Sequence, residues 1–333
     1  MCGDSNDEPD QTMKLTEDAA WYMLATMRGV GARTLWSLAA YLKDRNEHAS
    51  WLIEHPEDIP TQLASRIKIN HEGHHRYWDE MEELFHSDVS VIHPFSKNFP
   101  QRLWMSSEAA SVPPVMFVRG NLKLLSAPSA AIVGSRNTSH TAVEITRKLA
   151  GALAREGVNV VSGGAKGIDS AAHLGALAAD GTTTMVLSEG ILRHKPKQEI
   201  RSHLQHINHA FVSQFYPKVP WEARFAMARN KMVCALADAM IVIVSGPEKD
   251  AAGRMSGTFD AGQSALELGL PTIVLSPSVL EENPVGNSVL ISRGAHSWNP
   301  HDGIASILNS IFKFSDARSG VGHSGFGPQL GLF

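Results

Sequence analysis

Between Ala130 and Ser276 six short apolar runs recur: Ala130–Val133, Val158–Ser162, Thr183–Leu187, Ala210–Ser213, Ala239–Val244 and Thr272–Leu275. None alternates polar with apolar residues, so neither side of such a strand suits water. Segments with helical spacing separate the runs. Strand–helix alternation of this kind builds parallel strands joined by helical crossovers. The predicted fold is α/β, a Rossmann-like parallel sheet with helices on both faces.

Two glycine-rich turns follow the first two runs, about 30 residues apart, within "AIVGSRNTSHTAVEITRKLAGALAREGVNVVSGGAKGIDSAAH" (Ala131 to His173). A turn between a buried strand and a helix presents backbone amides and a helix N-terminus to an anion. Amides around Gly134 and Ser135 are predicted to face the carboxyl edge of the sheet, with Arg136 adding a fork-shaped phosphate ligand. Gly163 and Gly164 permit close backbone approach at the second turn, and Lys166 adds charge. Asp169 is predicted to cap the helix that follows, and His173 to lie one turn along as a hydrogen-bonded structural histidine. No Ser or Cys nucleophile stands beside them, so an acid/base pair is not assigned. Neither turn fits the dinucleotide or P-loop pattern. A glycine turn after a strand also serves simply to pack a helix close, and that reading stays open.

Charge singles out the next segment. The whole chain of 333 residues carries −4, yet Ile191 to Cys234 holds eight Lys or Arg against two acids. A focused basic strip on an acidic body points to a bounded polyanion site. Within it "RFAMARNKMVCALADAMIVIV" joins a basic helix to a buried strand, placing Arg224, Phe225, Arg229, Asn230 and Lys231 as candidate contacts. Trp221 or Phe225 supplies an aromatic face for a base. Farther on, "MSGTFDAGQSALELGLP" sets Ser256, Gly257 and Thr258 at another helix N-terminus by the sheet edge.

The organisation is predicted as a disordered tail (1–12), a helical domain (13–88), the α/β core (89–312) and a flexible tail (313–333). The helical part contains "RGVGARTLWSLAAYL", a Gly-x-Gly turn that resembles a helix-hairpin-helix, with Arg33 just after it. Two distant cysteines, Cys2 and Cys234, do not make a disulfide framework, which favours a reducing cytoplasm. The histidines, the "HEGHHRYW" run at His71 included, do not specify a metal site, and no cofactor is expected. No apolar stretch reaches membrane-spanning length, and the acidic N-terminus is unlike a signal peptide.

Taken in order, strand-GSR, SGGA-x-GID-x-x-AH-x-GAL, RN-K with L-x-D, SGT before a helix, and N-x-L-I-x-x-GA from about Val115 to Ala295 resemble the DprA/Smf family of DNA-processing proteins. The helical N-terminal segment is similar to that family's small helix-hairpin-helix or SAM-like domain. The resemblance implies a non-enzymatic core that binds single-stranded DNA in a basic pocket, forms a homodimer and helps load the recombinase RecA in natural transformation. It implies phosphate or base contacts at Ser135, Arg136, Gly163, Gly164, Lys166, Arg229, Asn230 and Lys231. The chain departs from the family in "RFAMARN", where Phe225 is one position out of place, and in the longer "PEKDAAGRM" before Ser256. Too little chain follows Pro300 for the C-terminal winged helix that many members carry.

These departures suggest a divergent member, with phage defence beside a neighbouring gene as a related role. Two rivals belong to other classes. One is a nucleotide enzyme or sensor of the lysine-decarboxylase-like, phosphoribohydrolase type, for which Ser256–Thr258 would be the phosphate turn and Glu267 the helical acid. The other is an antitoxin-like regulatory partner of an effector. The apolar "VCALADAMIVIV" and the Ile304–Phe312 helix are read as surface for the homodimer.

Overall fold

The computed structural model describes residues 15–69, 74–104 and 112–319. The tail 1–12, Cys2 and His71 lie outside the described residues. The first elements are helices: α1 (Glu17–Thr26), α2 (Ala32–Arg45), α3 (Ala49–Glu54), α4 (Thr61–Ala64) and α5 (His74–His86). Thr16 caps α1 by accepting the Ala19 N–H. Glu17, in the first turn of α1, also caps α3, accepting the N–H groups of Ala49 and Ser50 at 2.9 and 3.1 Å. Between α1 and α2 the chain turns through Gly29, whose φ of 89° suits glycine.

Then come β1 (Val89–Ile92), β2 (Met116–Gly120), β3 (Ser129–Val133), α6 (His140–Arg155), β4 (Asn159–Ser162), α7 (Ile168–Ala178), β5 (Thr183–Val186) and α8 (Gln198–Arg201). They are followed by β6 (His209–Ser213), α9 (Ala223–Ala235), β7 (Ala239–Val242), α10 (Gly257–Glu267) and β8 (Thr272–Leu275). The last elements are α11 (Val285–Ser292), β9 (His296–Trp298) and α12 (Ala305–Ser319). Among the described residues nine strands form one sheet in the order β1-β2-β6-β5-β4-β3-β7-β8-β9. β3 to β9 run parallel, while β2 is antiparallel to both β1 and β6. All six predicted runs are strands. The edge strand β9 escaped the sequence because three residues, two of them exposed, carry no apolar run.

Successive residues of a strand feed opposite faces. Ala130 and Ile132 of β3 join Leu149, Ala172 and Ile311 on one side, whereas Ala131 and Val133 join Met232 and Phe259 on the other. The helical region shares that second core: Tyr22 meets Phe117 edge-on at 5.9 Å, and the Trp36 indole donates to the Val112 carbonyl at 2.8 Å. The boundary at residue 88 is therefore a change of architecture within continuous packing.

Two expectations change here. The "VCALADAMIVIV" segment is buried inside the chain and offers no surface for a dimer; in the Ile304–Phe312 helix Ile307 and Ile311 are buried, while Phe312 remains exposed. α12 also continues to Ser319, past the predicted start of the tail at 313, and the remaining tail residues lie outside the described ones.

The strand starts are clamped by charge. Arg102 Nη1 donates to the Leu236 carbonyl at 2.9 Å and to Asp238 Oδ2 at 3.2 Å, and Nη2 donates to the Ala127 carbonyl at 2.9 Å. Asp238 also accepts the Ser129 N–H at 2.9 Å, tying the entry of β3 to the residue before β7. Both side chains are buried. Arg102→Ala should lower stability by roughly 3–5 kcal/mol, because the buried Asp238 loses its counter-ion. Urea unfolding checks this, and a loss below about 1 kcal/mol, the range of exposed pairs, would contradict it.

Candidate nucleic-acid interface

The strand order sets the loops after β5, β4, β3 and β7 side by side along one edge. From β3 the chain proceeds outward through β4, β5 and β6, then returns to β7 on the other side of β3. Such a switch point opens a crevice at the carboxyl ends of the strands, where open α/β sheets bind ligands. Two cavities of about 500 and 510 Å³ lie there. The first spans the β5, β4 and β3 loops and the second extends toward β7 and α10. Arg136, Asn137, Ala165, Trp221 and Arg229 line both, so the two form one continuous trough.

The glycine turns interlock. A Cβ on Gly134 would lie 2.5 Å from the Ile168 side chain, and one on Gly167, whose φ is 75°, would meet the Ser135 carbonyl at 2.6 Å. The second turn thus sits directly on the first. The Ser135 amide, predicted to face a phosphate, instead donates to the Val244 carbonyl at 2.9 Å, and its hydroxyl donates to the Asn137 carbonyl at 2.7 Å. The N-terminus of α6 is also occupied. Ser139 caps it, and Glu282, a residue the sequence did not single out, accepts from the Ser139 hydroxyl at 2.9 Å. Gly134, Ser135 and Asn137 line the second cavity, and the charge that the first turn presents to the trough is Arg136, exposed where the two cavities join.

Arg229 is buried, with its guanidinium laid across Gly163: a Cβ there would fall 1.2 Å from Nη1. The same nitrogen lies 3.5 Å from Asp169 Oδ2. Asp169 corrects the predicted cap. Gly167 is the N-cap of α7, and the Asp169 carboxylate accepts the Ala165 N–H at 3.2 Å, closing the loop before the helix. Lys197 locks the same loop from outside, donating to the Ala165 carbonyl at 3.0 Å and the Ser170 hydroxyl at 2.7 Å. His173 is fully buried between the Gly163 carbonyl (Nε2, 2.7 Å) and the Thr183 hydroxyl (Nδ1, 2.7 Å). A carbonyl only accepts, so Nε2 carries the proton in the neutral ring.

On α9 the strip divides. Arg229 lies mid-helix and reaches the trough, while Asn230 lines the second cavity and donates to the Gly257 carbonyl at 2.9 Å, holding the start of α10. Lys231 does not line either cavity and interacts electrostatically with Asp260 instead. Arg224 pairs with Glu222 at 2.7 Å and, like Phe225, is off the cavity walls. Phe225 packs on Phe215 with ring centroids 4.5 Å apart, so the aromatic face offered to the trough is Trp221, 53% exposed. Its loop is anchored to the helical region, where the Tyr216 and Tyr22 hydroxyls donate to Glu80 at 2.5 and 2.7 Å. Ser256 accepts the Phe259 N–H, capping α10, and Ser256, Gly257 and Thr258 line the second cavity. The segment before them folds as a tight turn, with Asp250 accepting from Arg254 at 2.8 Å. Among the described residues no group of three or more His, Cys, Asp or Glu is placed to hold a metal ion, and no helix is long and apolar enough to cross a membrane.

Burial pushes the His173 pKa down to about 4, opposed by the Gly163 hydrogen bond and the Asp169 charge. The unfolded ring titrates near 6.5, so between roughly pH 6.5 and 4 the unfolded chain binds more protons and stability falls with pH. At pH 4 this one group should cost about 3 kcal/mol relative to pH 7. Urea midpoints from pH 7 to 4 for the parent and His173→Gln check it: the gap between the two should narrow as pH falls. A constant gap would contradict it.

The chain is 33% identical over 260 residues to the DNA processing protein DprA of Streptococcus pneumoniae, covering 75% of this chain and 89% of the relative. It is 30% identical over 219 residues to the Bacillus subtilis DNA processing protein DprA, covering 64% and 70%. The solved S. pneumoniae DprA superposes with a TM-score of 0.65 at 25% identity, covering 86% of this chain and 95% of that one. The Helicobacter pylori DNA processing protein A, solved to explain a single-stranded DNA binding mode, superposes at 0.52 and 25% identity over 69% of this chain and 96% of that one. A family model described as DNA recombination-mediator protein A matches residues 90–309, and the chain belongs to that family.

Proposed function

We propose that the trough holds one strand of single-stranded DNA along the carboxyl edge of the sheet, as a step in DNA recombination. The observation that carries this reading is the pair of joined cavities walled by Arg136, Lys166, Lys195, Lys197 and Arg229, with Trp221 exposed at their junction. Cations in a groove neutralise backbone phosphates, and an exposed aromatic face stacks bases without regard to sequence. The N-terminus of α10 offers amides at the far end of the trough. The single-stranded DNA binding of the H. pylori relative supports the same ligand here. In this reading the protein works in the cytoplasm as a homodimer that delivers the strand to a RecA-like recombinase.

Binding without catalysis accounts for the site better than nucleotide hydrolysis. The hydrolase reading requires Glu267 beside the Ser256–Thr258 turn. Glu267 ends α10, about 15 Å along the helix from that turn, and accepts from Gln263 at 2.9 Å.

Arg136→Ala should weaken binding to oligo-dT by roughly 1.5–3 kcal/mol, about ten- to a hundredfold, with the unfolding midpoint unchanged. Arg136→Lys should recover only part of that loss, since a point charge cannot reproduce the fork. Fluorescence anisotropy with labelled oligo-dT measures both. Unchanged affinity in Arg136→Ala would remove Arg136 from the strand's path.

Trp221→Ala should cost about 1–3 kcal/mol by losing one stacked base. Duplex of equal length should bind about tenfold more weakly than oligo-dT, because its bases cannot stack in the trough, and log affinity should fall linearly with log salt. Equal affinity for duplex, or a flat salt response, would contradict the reading.

A further inference from the structure

The β5 end of the trough differs chemically from the rest. Glu189, just past β5, is the single acid on the walls of a cavity that otherwise carries five Lys and Arg. A carboxylate repels phosphate, so the backbone of a bound strand keeps to the Arg136 and Lys166 side, and the Glu189 end is left for a different part of the nucleotide. The same cavity also has apolar lining from Met185, Leu187, Ile200 and Trp221, beside the polar Ser188, His194 and Lys195.

Glu189 is held rigidly. Its Oε1 accepts from His194 Nδ1 at 2.7 Å, and its backbone carbonyl accepts the Ser213 hydroxyl at 2.7 Å. The next residue, Gly190, donates to the Val219 carbonyl at 2.9 Å. Oε2 accepts from the Ser188 hydroxyl at a long 3.4 Å, and the Ser188 backbone also donates to the carboxylate. A carboxylate has about four acceptor positions, so it can still receive a ligand donor. The His194 side chain is 9% exposed, and its Nε2 is buried with no hydrogen-bond partner among the described residues.

We propose that this end of the trough is a nucleobase pocket in which the Glu189 carboxylate accepts from the amino-bearing edge of a purine, making guanine the preferred base. Guanine places N1–H and the exocyclic N2 amine side by side, two donors that match one carboxylate. Thymine offers one N–H flanked by two carbonyl oxygens, which the carboxylate repels. Inosine keeps N1–H and lacks the amine. The inference rests on the single-stranded DNA reading and adds to it a base selectivity that phosphate contacts and stacking alone do not confer.

The test compares three twelve-nucleotide strands in lithium salt: all-dT, alternating dT and dG, and alternating dT and dI. Alternation avoids guanine runs and the four-stranded structures they form. The dG strand should bind about tenfold more tightly than all-dT, and the dI strand should lose most of that gain. In Glu189→Gln, checked for an unchanged thermal midpoint, the dG-to-dT ratio should fall to within about threefold. Should that variant not fold, competition of labelled oligo-dT from the parent protein by GMP, IMP and TMP supplies the same ranking. Equal binding of dG and dT strands overturns the proposal and leaves the DNA reading intact. Full retention of the gain by inosine, or an unchanged ratio in Glu189→Gln, overturns it as well. Failure of every strand to bind overturns both.

Discussion

The Arg229 guanidinium occupies the space in which a side chain at position 163 would begin, and the functional edge is arranged around that contact. A buried guanidinium is costly without partners. Asp169 supplies the counter-charge from the first turn of α7 and at the same time closes the loop through the Ala165 N–H. Glycine at 163 lets α9 bring this charge to the floor of the trough. Its carbonyl is fixed from below by His173, which in turn reaches β5 through Thr183. One side chain from α9, one from α7 and one strand-end glycine therefore define the surface together, and a change in any of them is felt by the others.

The two glycine turns lie close together for a reason of packing as much as of binding. Gly167 rests on the Ser135 and Arg136 backbone, and Gly134 makes room for Ile168. The amide expected to bind phosphate at Ser135 is instead used to join the end of β3 to Val244, two residues past β7, and the α6 N-terminus is taken by Ser139 and Glu282. With the usual anion site of this fold class occupied from within, the side chains left on the rim to meet a ligand are Arg136, Lys166, Lys195 and Trp221. Charge and an exposed aromatic ring can follow a flexible strand. A closed amide cradle would fit a single phosphate.

The sheet was legible because unalternating apolar runs have few other uses, and the basic strip because it contradicts the chain's net charge. What the sequence could not show was the direction of each side chain once the helices were placed. Arg229, Asn230 and Lys231 are consecutive, yet on a helix they point about 100° apart, so one floors the trough, one braces α10 and one faces Asp260. Phe225 and Trp221 looked equivalent as stacking candidates until Phe215 claimed the former. Asp169 had the place of a cap residue, but the true N-cap is Gly167, two residues earlier. Glu282 and Glu80 act across more than 130 residues of chain, on Ser139 and Tyr216, and local spacing carries no trace of such pairs.

In the proposed complex a single strand lies in the joined cavities with a base against Trp221. Photocrosslinking of an oligo-dT carrying 5-iodouracil, followed by peptide mass spectrometry, tests it most directly. The principal adduct should fall on the peptide containing Trp221 and be lost in Trp221→Leu, with adducts elsewhere unchanged. Adducts concentrated instead in the helical region, around the Arg28–Arg33 turn, with none at Trp221, would contradict it.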